Sequence, residues 1–225
     1  WYLLELINEI LDLALIESGK LSLSVEPISL TEVVKECQAM IEPQARKRAI
    51  AVTFSDFDQA LHVQADRTRL KQVLINLLSN AIKYNRTGGT VVVDHVESAA
   101  GRIRISVRDA GEGLPPEKVM QLFQPFNRLG QETSAEEGTG IGLVVCKRLV
   151  ELMGGTIGAE SRAGEGSVFW IDLNLTAAPK KSLHSDDPLL APPAAILPGA
   201  RVFTLLYVED NPANLMLVEL LLAKS

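Results

Sequence analysis

Residues Asp66–Tyr84 read DRTRLKQVLINLLSNAIKY and superimpose two patterns on one helical period. Leu70, Val73, Leu74, Leu77 and Leu78 recur at spacings of three and four, which predicts a helix with one buried stripe. Asp66 stands where a carboxylate caps the first turn. Within the same helix Asn76 and Asn80 lie four residues apart, so their amides leave from one face. Lys83 and Tyr84 follow on or beside that face.

Working outward, Gly88-Gly89 turns the chain into a strand at Val91–Val93, and Gly101 separates it from the alternation Ile103, Ile105, Val107. Pro115-Pro116 opens a short helix bearing Val119 and Leu122. The polar and small residues from Phe126 to Gly138 predict a loop long enough to suspect a function. A helix over 141–153 and strands at Thr156–Glu160 and Ser167–Leu175 complete this half. Upstream, Ser29 and Glu32 have the spacing of a capping box with Ile28 and Val33 as its staple, starting a helix to about Lys47. Ile50, Val52 and Phe54, then Leu61 and Val63, predict two short strands. Leu3, Ile7, Ile10 and Ala14 recur at heptad-like spacing, with Leu4, Leu6, Leu11, Leu13 and Leu15 as a second apolar flank and Gly19 as the stop. Such a helix is one arm of a bundle. The whole predicts an α+β fold: a two-layer α/β sandwich preceded by one bundle helix.

Composition narrows the function classes. With 47 % hydrophobic residues in 225, the chain supports one well-buried domain plus extra pieces, or two small ones. A net charge of -6 leaves no broad basic surface for nucleic acid. Cys37 and Cys146 lie far apart in helical segments, which fits buried thiols in a reducing, cytoplasmic compartment better than a disulfide or a metal site. No apolar run approaches the roughly 20 residues that cross a bilayer, so membrane contact is not expected of this segment, and the abrupt ends suggest a piece of a parent that could be membrane-anchored. Residues 177–200, with Pro179, Pro188, Pro192, Pro193 and Pro198, read as a linker. Val202–Val208 then begins a new strand, followed by Glu209-Asp210 and a helical start too short for a core of its own.

Three segments carry chemistry. Asn76, Asn80, Lys83 and Tyr84 offer neutral oxygens, a cation and an aromatic ring, the assortment that a polyphosphate with Mg²⁺ requires. The same set alone also fits an exposed helix end with snorkelling side chains. Asp109 ends a strand in Asp109-Ala110-Gly111-Glu112-Gly113, where a carboxylate can accept from an exocyclic amine while Gly111 and Gly113 let a flat ring approach. Alone it also fits a plain turn. Gly138-Thr139-Gly140-Ile141-Gly142-Leu143 alternates glycines directly before a helix, so backbone N–H groups and the helix dipole make an anion cradle. Tight helix packing is the alternative, and neither phosphate-loop nor dinucleotide glycine spacing is matched. In Gly164-Glu165-Gly166-Ser167, Ser167 either supports Asp109 or a base-side water, or belongs to an ordinary hairpin. Phe123 and Phe126 read as core before ligand contacts, with Arg128 as a loop anchor. His62, His95 and His184 receive no phosphoryl-accepting role, because none lies on a bundle helix beside an acid.

Taken in order, these segments resemble the sensor histidine kinases of two-component signalling, in particular the hybrid type, with their GHKL (Bergerat-fold) ATP-binding domain. The N box is Asp66–Tyr84, the first glycine box Asp109–Gly113, the phenylalanine box Leu122–Leu129 and the second glycine box Gly138–Leu143, and the likeness runs from residue 1 to about 176. The resemblance implies ATP and Mg²⁺ as cofactors. Asn80 would ligate the metal with Asn76 assisting, Lys83 would meet the phosphates, Tyr84 the purine face and Asp109 the adenine amino group. Gly111 and Gly113 would shape that pocket. Residues 128–140 would be a lid, ending at the phosphates with Gly138, Thr139, Gly140, Gly142 and Leu143. Ser79 and Ala110 depart from the commoner acidic or amide residue and threonine.

By the same resemblance, residues 1–20 are the second helix of a dimerisation and phosphotransfer hairpin whose first helix carries the phosphorylated histidine. Residues 21–176 are the catalytic domain, 177–200 the linker and 201–225 the start of a receiver domain with Glu209 and Asp210 as its acids. The chemistry implied is transfer of the ATP γ-phosphoryl group to histidine and onward to aspartate. The present chain would bind ATP without phosphorylating itself. Implied partners are a second copy through the bundle and either its own receiver or a separate response regulator. A GHKL-type ATPase, or a non-catalytic nucleotide-sensing module, is the alternative.

Overall fold

The structure is a computed structural model describing residues 2–125, 127 and 139–178, all within the first of the two units into which the chain divides, Trp1–Lys180. Phe126, Arg128, Gly138, residues 128–138 of the lid expected over 128–140, the linker beyond residue 178 and the receiver-like segment 201–225 lie outside the described residues.

The elements follow in the order α1 (Tyr2–Glu17), β1 (Glu26–Ser29), α2 (Leu30–Lys47), β2 (Ala51–Phe54), β3 (His62–Ala65), α3 (Arg67–Lys83), β4 (Thr90–Ala99), β5 (Arg102–Asp109), α4 (Pro116–Val119), α5 (Gly142–Leu152), β6 (Thr156–Arg162) and β7 (Gly166–Thr176). The sheet runs β1-β3-β7-β5-β4-β2, with β6 also on β7; β2 pairs β4 in parallel and every other pairing is antiparallel. Strand alternation sorts its two faces. Ile103, Ile105 and Val107 on β5 and Phe169, Ile171 and Leu173 on β7 point into one core with Leu70, Val73, Leu74, Leu77 and Leu78 of α3 and Leu149 and Val150 of α5. Each such leucine or isoleucine contributes about 1.5–3 kcal/mol by leaving water. On the opposite face, Arg104 forks onto Asp172 and lies 3.8 Å over the Trp170 ring. The result is the expected two-layer α/β sandwich.

Asp66 caps α3 as expected: its Oδ1 accepts the Arg69 N–H at 3.0 Å. Its Oδ2 also accepts the Ser24 N–H at 2.9 Å, which ties the segment after α1 to the start of α3. The capping box at Ser29 is only half closed. Ser29 Oγ accepts the Glu32 N–H at 3.4 Å, but the Glu32 carboxylate turns to Arg67 at 3.1 Å, an ion pair across helices that competes with the reach back. Strand β1 was not foreseen, because it contains Pro27 and buries only Ile28. Strand β4 runs beyond Val93 to Ala99, where Val96 and its neighbours are exposed and leave no hydrophobic alternation to read.

Helix α1 presents two faces. Asp12, Leu13 and Ile16 turn to the domain, while Ile7, Ile10, Leu11 and Leu15 are exposed. Leu13 therefore leaves the flank that its sequence neighbours Leu11 and Leu15 share. Among the described residues no helix is long and apolar enough to cross a membrane.

Candidate functional site

The amide face of α3 meets the glycine-lined start of α5. A methyl group on Gly142 would fall inside van der Waals contact of Asn76 Nδ2 and 3.2 Å from its Cγ, so glycine lets the helix start seat on the Asn76 amide without displacing it. Asn80 Nδ2 donates to Asn76 Oδ1 at 3.1 Å. This fixes both amides and, among the described residues, leaves Asn80 Oδ1 without a donor. Helix α5 begins without a side-chain cap. Gly140 just before it has φ 73°, a left-handed turn natural to glycine, and the Ile141 N–H is taken by Thr139 Oγ1 at 3.2 Å. The first turn of α5 thus offers N–H groups and the positive end of its dipole beside two neutral amide oxygens.

Lys83 and Tyr84 close the C-terminal end of α3. The Lys83 ammonium lies 4.9 Å from the Tyr84 ring centroid, and the Tyr84 side chain is exposed. The strand-end turn seats directly on this helix end. A Cβ on Gly111 would strike the Tyr84 carbonyl oxygen and come within 2.9 Å of Asp109 Oδ1. Asp109 is 7 % exposed, and its Oδ1 accepts from the Gly111 N–H at 2.8 Å and the Ser167 N–H at 3.3 Å. Burial pushes its carboxyl above the ordinary carboxylate range, and the two N–H donors partly offset that. Gly113 has φ 65° and packs against the Arg162 carbonyl, where a Cβ has no room.

The structure thus brings Asn76, Asn80 and Gly142 into contact, and Asp109, Gly111, Tyr84 and Ser167 into a second cluster joined to the first by α3. Ser167 reaches Asp109 through its main chain, because its hydroxyl pairs with Ser161 Oγ at 2.9 Å. Ser161 itself was not anticipated. Its Oγ accepts the Leu114 N–H at 2.7 Å and lies 3.0 Å from the Gly166 carbonyl, pinning the turn after Asp109 to the β6–β7 hairpin. A lone serine in a strand carries no sequence signal for such a bridge. Ser79 points elsewhere, its Oγ accepting from Gln44 of α2 at 3.2 Å. Leu143 and Phe123 are half-buried and pack on the core. Thr139 Oγ1 also donates to Glu9 of α1, a contact that crosses from the bundle helix to the start of α5. Among the described residues no three His, Cys, Asp or Glu side chains cluster as a metal cage.

Residues 65–177 match the family described as histidine kinase-, DNA gyrase B-, and HSP90-like ATPase. Sensor histidine kinase GacS of Pseudomonas protegens is 41 % identical over 204 residues, which cover 87 % of this chain and 22 % of GacS. Full-length ShkA in complex with AMPPNP superposes with a TM-score of 0.68 at 29 % identity, over 79 % of this chain and 37 % of ShkA. Histidine kinase ThkA in complex with the response regulator protein TrrA gives a TM-score of 0.61 at 32 % identity, over 77 % of this chain and 47 % of the ThkA chain. The present chain spans about a fifth of the length of GacS. It belongs to the histidine kinase-, DNA gyrase B- and HSP90-like ATPase family, and its domain is of the sensor histidine kinase type.

Proposed function

We propose that this chain is the Mg²⁺- and ATP-binding catalytic part of a hybrid sensor histidine kinase, serving transfer of the ATP γ-phosphoryl group to a histidine on another segment and then to a receiver aspartate. The observation that carries this reading is the seat of Gly142 on Asn76, which sets two amides opposite an uncapped helix start. The AMPPNP held by ShkA supports the nucleotide, and the ThkA–TrrA complex supports a response regulator as partner.

In this proposal Asn80 Oδ1, assisted by Asn76, would hold Mg²⁺. A neutral oxygen fits a metal whose remaining ligands are phosphate and water better than it fits an all-protein cage. Bound there, the ion supplies neutralisation of phosphate charge. Lys83 binds the phosphates as a point charge, and the N–H groups about Gly140 and Gly142 orient the triphosphate, with Thr139 and Leu143 beside them and Gly138 completing the glycine series. Tyr84 flanks the purine. Asp109, held by the Gly111 and Ser167 N–H groups, accepts the adenine amino group, and Gly111 and Gly113 keep the floor of the pocket flat. Catalysis is then mostly positioning and charge stabilisation. The exposed Ile7, Ile10, Leu11 and Leu15 of α1 support dimerisation through a helical bundle. The buried free thiols Cys37 and Cys146, the former pushed up to about 12 by desolvation, support a cytoplasmic setting.

Equilibrium binding of ATP with and without Mg²⁺ tests the site. Wild-type chain should bind in a Mg²⁺-dependent manner, and Asn80→Ala should lose about tenfold or more in affinity together with that dependence. Unchanged binding in Asn80→Ala, or no binding by wild type at millimolar nucleotide, rejects it. Formation of acid-labile phosphohistidine by a longer protein including the bundle separates a kinase from an ATPase or a sensing module.

A further inference from the structure

The charged contacts between α1 and the domain are used by neither the fold core nor the proposed chemistry. Glu9, Asp12, Leu13 and Ile16 follow the i, i+3, i+4, i+7 spacing of a single helix face. Asp12 Oδ1 accepts from Arg69 Nη1 at 3.1 Å and Oδ2 from Gln72 Nε2 at 2.7 Å, with side-chain exposures of 19 % for Asp12 and 24 % for Arg69. Leu13 and Ile16 pack beside them on the core. On α3, Arg69, Gln72, Asn76 and Asn80 run along one face at the same helical spacing, so α1 occupies the first half of the stripe whose second half carries the amides. This placement sets Glu9, one turn before Asp12, against Thr139. The Thr139 hydroxyl has one proton, which it donates to the Glu9 carboxylate while its oxygen accepts the Ile141 N–H. A carboxylate therefore stands two hydrogen bonds from the helix start that the proposed function gives to phosphate.

Resting on that proposed function, we infer that Glu9 is a resident anion that sets the affinity of the phosphate end of the site. Glu9 answers the positive helix start and the Thr139 hydroxyl when α1 is docked. A triphosphate brings several negative charges to the same donors, and the two anions repel across a half-buried space where water screens poorly. Triphosphate binding and α1 docking then oppose one another, and linkage makes the opposition reciprocal: whatever loosens α1 tightens the nucleotide by the same factor. Asp12, through Arg69 and Gln72, is the positioning residue that holds Glu9 in place.

Titration calorimetry of the full 225-residue chain with Mg·ATP tests this, alongside Glu9→Gln, which keeps the side-chain shape and removes the charge, and Asp12→Asn, which weakens docking one turn away from the site. Glu9→Gln should tighten Mg·ATP about fivefold or more, within the usual range of coupling between sites, and Asp12→Asn should shift affinity in the same direction. Saturating Mg·ATP should also speed hydrogen exchange of the α1 amides in wild type. Affinity in Glu9→Gln equal to or weaker than wild type, or α1 exchange unchanged or slowed by nucleotide, overturns the inference and leaves the proposed function intact. A wild-type chain that binds no nucleotide at millimolar concentration instead removes the proposed function, and this coupling with it.

Discussion

Gly142→Ala places one methyl group in the seam between α3 and α5. Gly142 is the first residue of α5 and does not have a left-handed φ, so alanine meets no backbone strain there, and in an open helix it would be favoured by up to about 1 kcal/mol. The methyl would lie 3.2 Å from Asn76 Cγ and 3.3 Å from Oδ1, and closer still to Nδ2. Comfortable carbon contacts need about 3.5–4.0 Å. The Asn76 amide must turn away, breaking its 3.1 Å bond with Asn80. Overpacking costs about 1–3 kcal/mol and the lost neutral bond about 1 kcal/mol, which the helix gain partly offsets. The net expectation is a destabilisation of about 1–3 kcal/mol, or roughly 2–12 °C in melting temperature. Mg·ATP affinity should fall about 10- to 100-fold, because both amides are disturbed together. Thermal melting and calorimetric titration read the two effects. In the double variant Asn76→Ala with Gly142→Ala the clash has no partner, so melting should recover toward Asn76→Ala alone while affinity stays low, a non-additive pair. Wild-type affinity in Gly142→Ala, or strict additivity in the double variant, would refute the claim that the helix start sits on Asn76.

Asp109→Asn removes a carboxylate whose burial raises its folded pKa. Because the folded value lies above the unfolded one, the favourable contribution is complete below about pH 4 and is lost as pH rises through the folded value. The variant should therefore gain stability relative to wild type between pH 4 and pH 7 in urea unfolding, while ATP affinity falls about tenfold or more with the loss of a charge-assisted bond. A stability difference independent of pH would contradict this. Asp172 has the opposite sign. The Arg104 guanidinium holds its carboxyl below the ordinary range, so its contribution is present above about pH 4 and disappears as pH falls through the lowered folded value. Asp172→Asn should cost about 1 kcal/mol at pH 7, discounted for the water that reaches Arg104, and the cost should shrink as pH falls below about 4 in the same assay.

What could be read from sequence was what local periodicity controls. The α3 stripe and the alternation of β5 and β7 are each dictated by one buried face, and all five stripe residues of α3 and the three of β5 are buried. Asp66 was legible because a cap acts within three residues of itself. Contacts made by tertiary placement left no such trace. Ser161 gains its role only when the β6–β7 hairpin folds back on Leu114, and Leu13 parts from Leu11 and Leu15 only because α1 has a domain beneath it. Ser79 illustrates the limit within one helix: it immediately precedes Asn80, yet a step of about 100° around the axis carries its hydroxyl to Gln44 of α2.

The two faces of α1 differ in the kind of association they can support. Ile7, Ile10, Leu11 and Leu15 are already about half covered, so each would contribute about 1 kcal/mol when a second helix covers the rest. Among the described residues, the domain-facing contacts include an ion pair, two hydrogen bonds accepted by the Asp12 and Glu9 carboxylates, and two half-buried apolar side chains. The ion pair contributes up to about 1 kcal/mol, each hydrogen bond to a carboxylate about 1.5–3 kcal/mol and each half-buried apolar side chain about 1 kcal/mol, so the docked state is held by several kcal/mol. A ligand shifts docking only by its differential affinity for the docked and undocked states, and the fivefold coupling expected for Glu9 corresponds to about 1 kcal/mol. On the proposed function, nucleotide would therefore shift the α1 docking equilibrium without opening it outright, while the apolar side stays available to a second helix.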